Sequence, residues 1–527
     1  MTFWRGLQSP FDRRFSTRRR ELILAALIVL ILVGAAMRGF NLGAQSMWRD
    51  EAISWNFARL ESPGALVAAL IEDELHPPLW YLVLHGSIRL WGDSEFGLRF
   101  QAVLFSVLLI PLGYALGRLL FGTGVGLLNA TILSLSPFLL EYAQEARVYS
   151  FLAFVVLLAL YFVARWLRRP TRLNLVGYAL AMAAVLYTHN WGFFVLAALN
   201  AYVFLALILD APRRRLLLPW IAGNALAGVI YLPWLPPLIQ QLGYDTGWMA
   251  TQASPLVLLV QTLQSWTSAW SATPLYAALF LLGLASLVTV DSWRPFRLRL
   301  NQNTEAVLLL AFACLGPILI ALGLSQLKPI YKPDRYTIIA FPAFSLLLAV
   351  GLATLRWRWL VIGGLVVVAV LALRKDWYYL TEQYKSTMRD TAAYVSAGIG
   401  PQDVIVFAPD PLGQSFNYYF RGPQFQIGYP NWNAPRAWHI GTWVQTWFAP
   451  DIQARTLDEV AAHLSDGACV WLVYTPGPVA VPGVESAADD LRAALAARYS
   501  LRDTQTFPEI FEYADVDVYC DGDAATG

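Results

Sequence analysis

Leu79-Trp80-Tyr81-Leu82-Val83-Leu84-His85-Gly86-Ser87-Ile88-Arg89-Leu90-Trp91, directly after His76-Pro77-Pro78, is the stretch on which the topology of this chain turns. It is apolar but short, and His85, Gly86 and Arg89 interrupt it. Crossing a bilayer takes about 20 apolar residues, and shorter runs are usually interfacial or re-entrant. If 79–91 does not cross, the basic clusters at Arg165…Arg169, Arg213-Arg214-Arg215, Arg294…Arg299 and Arg356…Arg358 share the side of the N-terminal arginines Arg13, Arg14 and Arg18-Arg19-Arg20. If it does cross, all of them change sides. Basic loops collect on the cytoplasmic side, so 79–91 is placed flat in a first outer loop covering 40–96.

The rest of the composition agrees with a membrane chain. Of 527 residues, 57% are hydrophobic and 14% charged, where soluble domains carry about 25% charged residues. A net charge of +2 gives no reason to expect a nucleic-acid partner. Eleven candidate spans follow: 21–39, 97–118, 123–140, 149–167, 174–191, 192–209, 216–238, 274–290, 304–325, 336–354 and 359–374. The first, with its basic flank and no clear cleavage site, is read as an uncleaved span. The fold class is thus a polytopic α-helical membrane protein with about 11 transmembrane helices over 1–375 and a C-terminal soluble α/β domain over 376–527. The tail alternates β-rich runs (404–407, 469–474, 511–519) with helical ones (388–397, 457–464, 487–499). By parity it lies outside. Cys469 and Cys520 pair if their segments are adjacent and the compartment is oxidising, with two free buried thiols the blander reading; Cys314 is read as a small core residue.

Ionisable groups at a membrane boundary are functional candidates. Five features point to the outer face. Asp50-Glu51 follow the first span. His76 precedes a proline pair that fixes the backbone. The turn at Glu145, Arg147 and Tyr149 is dense in charge where Gly, Pro or Asn would serve a plain turn. His189 stands at a span end. Lys328, Lys332, Arg335 and Tyr336 break the positive-inside pattern and form a candidate anion site. Carboxylates that take a proton from a hydroxyl, with cations that stabilise a departing phosphate, suit group transfer from a lipid-phosphate donor.

At Trp48-Arg49-Asp50-Glu51-Ala52, His76-Pro77-Pro78-Leu79, Gly92…Arg99, Gln144-Glu145-Ala146-Arg147, Tyr187-Thr188-His189 and Arg335-Tyr336, in that order, the chain resembles the GT-C superfamily of membrane glycosyltransferases. Within it, the similarity is to bacterial glycosyltransferase family 39, relatives of the protein O-mannosyltransferases and the lipid A aminoarabinose transferase. The resemblance implies a cell-envelope enzyme of the bacterial cytoplasmic (inner) membrane. It would move a sugar from a polyprenyl-phosphate donor to a hydroxyl on a glycolipid, polysaccharide or protein acceptor, with inversion at the anomeric carbon. Asp50 would be base or acceptor-orienting group, Glu51 its tuning neighbour and Glu145 a second acid holding hydroxyls. Arg147, Lys328, Lys332, Arg335 and Tyr336 would handle the phosphate, with His76, Tyr149 and His189 lining the site. A divalent metal is compatible with the resemblance, and Glu51, His76 and His189 are the set that could bind one, though their spacing has no tight ligand pattern. His76 replaces the lysine that precedes the proline pair in the aminoarabinose transferases, which argues against an aminoarabinose donor. The loops 243–253 and 422–437 are aromatic and polar enough to touch substrate.

Two other classes compete. A lipid or sugar transporter would place ionisable or helix-breaking residues near mid-membrane, often in repeats; here the charges sit at one face. A simple membrane anchor for the tail would not need so many spans.

Overall fold

The computed structural model describes residues 17–242, 253–267, 270–293, 296–301, 303–429, 451–476 and 487–521. Its first part is helical. The segments that frame the site are α1 (Thr17–Gly39), α2 (Arg49–Ala58), α3 (Pro63–Asp73), α4 (Leu79–Trp91), α5 (Glu95–Phe121), α6 (Thr123–Ser134), α7 (Pro137–Ala143), α8 (Tyr149–Arg168), α9 (Arg172–Leu186) and α10 (Gly192–Leu209). Farther along come α11 (Leu217–Tyr231), α12 (Leu235–Gln241), α13 (Pro255–Thr267), α14 (Thr273–Ala285), α15 (Thr304–Leu324), a 3₁₀ turn at Arg335–Ile339, α16 (Phe341–Thr354) and α17 (Arg358–Thr381).

Among the described residues six helical stretches are long and apolar enough to cross a membrane, or seven if the bent pair α6–α7 counts as one span. Shorter apolar helices are α9, α14 and α16. The chain is a membrane protein in which three of the eleven apolar stretches are interrupted. The reason is local. The stretch 123–140 bends by 53° where Ser136 and Pro137 interrupt it. Residues 274–290 leave the helix at Ala285 and enter a hairpin of β1 (Val288–Trp293) and β2 (Phe296–Leu300). The stretch 336–354 divides into a 3₁₀ turn and α16. Carbonyls freed at the α6–α7 break need donors in an apolar setting. Arg38, fully buried at the end of α1, supplies them to Leu133 (2.8 Å) and Ser134 (2.9 Å). Helices α14 and α16 touch backbone to backbone: a Cβ on Gly283 would collide with the Leu347 carbonyl, and one on Gly351 with that of Leu279.

The run 79–91 is a 13-residue helix, about 20 Å long and so shorter than the hydrocarbon layer of about 30 Å. It buries Trp80, Tyr81, Leu84 and His85 while Leu90 and Trp91 stay exposed.

The C-terminal part holds α18 (Met388–Gly398), β3 (Val404–Ala408), α19 (Leu412–Tyr419), β4 (Phe425–Gly428), α20 (Ile452–His463), β5 (Cys469–Tyr474), α21 (Ala487–Ala496), β6 (Ser500–Gln505) and β7 (Asp515–Cys520). The strands form one sheet in the order β4-β3-β5-β7-β6, parallel among β4, β3 and β5 and antiparallel from β5 to β6. Strands β3 and β5 are buried throughout because helices cover both faces. Val404, Val406, Val470 and Leu472 pack with α20 and α21. Ile405, Phe407, Trp471 and Val473 pack with α18 and α19. The antiparallel register sets Cys469 opposite Cys520, and the two form a disulfide. Of the two readings, the paired one holds and the free-thiol one does not: nothing in either local sequence shows that the strands are neighbours. Cys314 is a buried free thiol.

Candidate active site

The site is built around the first turn of α2. Trp48, extended at φ −103° and ψ 167°, precedes the helix and gives it no side-chain cap. The cap comes instead from the C-terminal part: Glu512 Oε2 accepts the Arg49 N–H at 2.9 Å. Three carboxylates therefore gather at the positive end of one helix, which favours them. Successive helix residues diverge by about 100°, so Asp50 and Glu51 face different neighbours.

Glu51 faces inward. Arg99 of α5 grips it with two bonds, Nε to Oε1 and Nη2 to Oε2, both 2.7 Å, and neither side chain is exposed. The Ala146 N–H adds a third bond at 2.7 Å. Burial opposes the charged form, but Arg99 with Lys385 nearby holds the carboxyl below its usual range. Arg99 also donates to the carbonyls of Leu42 and Gln45 at 3.0 and 2.9 Å. This pair fastens three chain segments.

Asp50 faces the mouth. Its Oδ2 meets Arg335 Nη1 at 2.5 Å, and the two side chains keep 17% and 18% of their surface exposed. Arg335 also lies over the Trp48 ring, 5.5 Å from its centre. Burial would raise the Asp50 carboxyl; Arg335, Arg147 and Arg49 override it and hold it at about 2. Arg147 donates to the Asp50 carbonyl (3.2 Å) and to Ser54 Oγ (2.9 Å), while its buried Nε has no partner among the described residues. Lys332 interacts with Arg335, Asp334 and Asp50, and burial together with Arg335 lowers its ammonium. Lys328 is exposed just beyond α15.

Glu145, in the turn between α7 and α8, is buried. Its Oε1 lies 3.7 Å from Lys385 Nζ, and its Oε2 has no partner among the described residues. Burial pushes this carboxyl up to about 7, with Lys385 pulling down and Glu51 and Glu141 pushing further up.

A second wall is aromatic. His76 Nδ1 donates to Glu74 Oε1 at 2.8 Å; burial opposes the charged form, but that bond, with nearby Arg147 and the Leu75 N–H, keeps Glu74 below its usual range. The His76 ring stands 4.9 Å from that of His189, which is 4.7 Å from Tyr336. His189 Nδ1 accepts the Trp191 N–H at 3.0 Å. A ring that accepts at Nδ1 is neutral and carries its proton on Nε2. That Nε2 is buried without a partner among the described residues, a donor held ready for an oxygen. Tyr149 lies beside Arg147, whose guanidinium carbon is 6.0 Å from the ring centre.

The structure thus brings Asp50, Arg147, Lys332 and Arg335 together, with Tyr149 beside Arg147, the rings of His76, His189 and Tyr336 edge-on to one another, and Glu145 beside Lys385. Glu51 is sealed under Arg99, so it does not join His76 and His189 as a ligand set. Among the described residues no three His, Cys, Asp or Glu side chains are grouped to hold a metal. Residues 243–252 and 430–437 of the two candidate loops lie outside the described residues. Sequence reasoning missed Glu74, Arg99, Lys385 and Glu512. Arg99 stood inside a quoted motif; Lys385 and Glu512 carried no signal, being distant charges in a tail.

Residues 75–239 match the profile of the family described as dolichyl-phosphate-mannose-protein mannosyltransferase. An uncharacterized protein of Aquifex aeolicus (strain VF5) is 28% identical over 211 residues, 39% of this chain and 41% of that protein, so the match spans less than half of that relative. Among solved structures, ArnT from Cupriavidus metallidurans bound to undecaprenyl phosphate superposes with a TM-score of 0.58 at 16% identity, covering 97% of this chain and 100% of that one. The archaeal oligosaccharyltransferase AglB from Archaeoglobus fulgidus, in complex with an inhibitory peptide and a dolichol-phosphate, gives 0.55 at 13% identity, covering 97% and 75%. The arabinofuranosyltransferase AftD from Mycobacteria gives 0.53 at 15%, covering 95% and 40%. At these identities the likeness is one of fold.

Proposed function

We infer that this chain, which has the GT-C fold of the membrane glycosyltransferases, moves a sugar from a polyprenyl-phosphate donor to a hydroxyl acceptor with inversion. The observation that carries this is the Asp50–Arg335 pair, 2.5 Å long and partly open, with Arg147 and Lys332 beside it. Arginine suits bidentate phosphate contacts and lysine a point charge. Undecaprenyl phosphate and dolichol-phosphate in two proteins of this fold are of the same chemical class as the donor inferred here. The charge pattern of the loops favours the outer face of the cytoplasmic membrane.

In the transfer step the acceptor oxygen attacks the anomeric carbon from the face opposite the phosphate. The bond from that carbon to the phosphate oxygen breaks, and the phosphate leaves with its electron pair. Arg335, Arg147 and Lys332 stabilise the charge that develops there. The acceptor proton goes to Asp50. A carboxyl held at about 2 by Arg335 is a weak base. Donor phosphate that takes over the guanidinium weakens the hold and raises the basicity of Asp50 as the donor arrives. His189 Nε2–H and Glu145 Oε2 offer one donor and one acceptor for sugar hydroxyls. In these steps Arg335, Arg147 and Lys332 carry out the charge stabilisation.

A flippase without transfer chemistry is the competing function. It gives no role to a carboxylate set among phosphate-binding cations at one mouth. Mass spectrometry of the lipid that co-purifies with Asp50→Asn tests the choice. A sugar-loaded polyprenyl phosphate on the variant with the unloaded carrier on wild type supports transfer and names the donor; the same loaded lipid on both, or ordinary phospholipid alone, contradicts it.

A further inference from the structure

Two distant pieces of the C-terminal part meet beside the site. The Phe511 N–H donates to the Tyr384 carbonyl (3.2 Å), the Glu512 N–H to that of Lys385 (2.9 Å), and the Thr387 N–H to that of Glu512 (3.0 Å). The result is a short parallel strap centred on Ser386 and Glu512. Each piece presents one charged side chain to the helical part. Lys385, 2% exposed, donates to the Gln144 carbonyl at 2.6 Å and stands 3.7 Å from Glu145. Glu512 caps the Arg49 N–H and is itself held by Ser415 Oγ at 2.7 Å and Ser386 Oγ at 3.3 Å.

Seating is reinforced around the strap. Arg389 binds Glu95 and the carbonyls of Gly43 and Ala44 at 2.8–3.0 Å. The Met47 N–H donates to the Tyr419 hydroxyl at 2.7 Å, and Tyr418 packs edge-on against Trp55. A buried lysine is costly unless paired and hydrogen-bonded. Lys385 lies where its charge bears on Glu145, and Glu512 where its charge bears on the turn carrying Asp50.

We propose that this strap is a positioning element of the transfer site: Lys385 sets the charge state and place of Glu145, Glu512 fixes the first turn of α2, and transfer requires the C-terminal part seated on the helical part. The proposal rests on the function inferred above, yet its test reads the two carboxylates directly.

Glu145 faces Lys385 from the strap, Glu51 from α2, Glu141 from α7 and Arg335 from the 3₁₀ turn, with the phenols of Tyr142, Tyr149 and Tyr384 nearby. Lys385 is the cation that favours its ionised form most. Infrared titration of the full-length protein in nanodiscs follows the protonated-carboxyl band, with Glu145→Gln identifying the Glu145 component. Lys385→Met should move its midpoint upward by a unit or more, about tenfold in proton affinity, and Lys385→Arg should restore it. Lys385→Gln serves in place of Lys385→Met should the latter not fold. Separately, Glu512→Ala should raise amide exchange at residues 47–55 several-fold, with Glu512→Gln intermediate. An unmoved Glu145 midpoint, or unchanged exchange in α2, overturns the proposal. Absence of any sugar transfer while both shifts occur counts against the inferred function and not against the strap.

Discussion

The carboxylate of Asp50 and the guanidinium of Arg335, 285 positions apart in the chain, meet at 2.5 Å in the mouth of the site. In the resting protein the acid therefore occupies the cation that a donor phosphate would need. On the proposed function the pair is both a phosphate site and its own competitor, and several consequences can be measured.

Asp50→Asn should abolish transfer while tightening binding of undecaprenyl phosphate about three- to tenfold, since it removes the competing anion from Arg335. Titration of the purified variant with the lipid checks this. Weaker binding than wild type would mean that Asp50 and phosphate do not share Arg335.

Arg335→Ala should weaken the same lipid by about tenfold or more, and Lys332→Ala by a few-fold, because a planar fork holds phosphate better than a point charge. Equal losses in the two titrations would argue against a bidentate contact.

Glu51→Gln should destabilise the fold, by about 3–5 kcal/mol, because it leaves Arg99 buried beside a neutral group. Thermal unfolding in detergent measures it. Since Glu51 is depressed in the folded protein, its contribution is full above the unfolded carboxyl range near pH 4 and is lost as pH falls through the lower folded value. The stability difference between wild type and variant should therefore shrink only in strong acid.

Chelation should leave lipid binding unchanged, because Arg335, Arg147 and Lys332 supply the positive charge. Lipid titration before and after EDTA, with added divalent metal as control, decides. Loss on chelation and recovery with metal would place a cation in the phosphate site.

How far the sequence shows this site differs residue by residue. Asp50, Arg147 and Arg335 are legible because charge at a membrane boundary is costly and needs a reason. The fastening role of Glu51 is not, because whether a carboxylate faces the mouth or the core depends on the rotation of α2 and on Arg99, 48 positions away. Lys385 and Glu512 are hidden for a similar reason: their partners are set by the way the sheet seats on the helices. Hydropathy finds the apolar runs but cannot see that 123–140 bends at Pro137 or that Arg38 fills the break. The strand at 469–474 is plain from its β-branched and aromatic run, yet its pairing with β7, and with it the disulfide, is a long-range fact.

The most direct measurement is sided labelling of the variants Asp50→Cys and Arg335→Cys in a Cys314→Ala background, where the introduced thiol is free and Cys469 and Cys520 are paired, with a charged membrane-impermeant maleimide. Right-side-out and inverted vesicles are compared with and without undecaprenyl phosphate. Both positions should label from the same side, and the lipid should protect both, at a concentration about tenfold or more higher for Arg335→Cys because that change removes a phosphate contact. Labelling from opposite sides, or reactivity indifferent to the lipid, would contradict a shared phosphate-binding mouth.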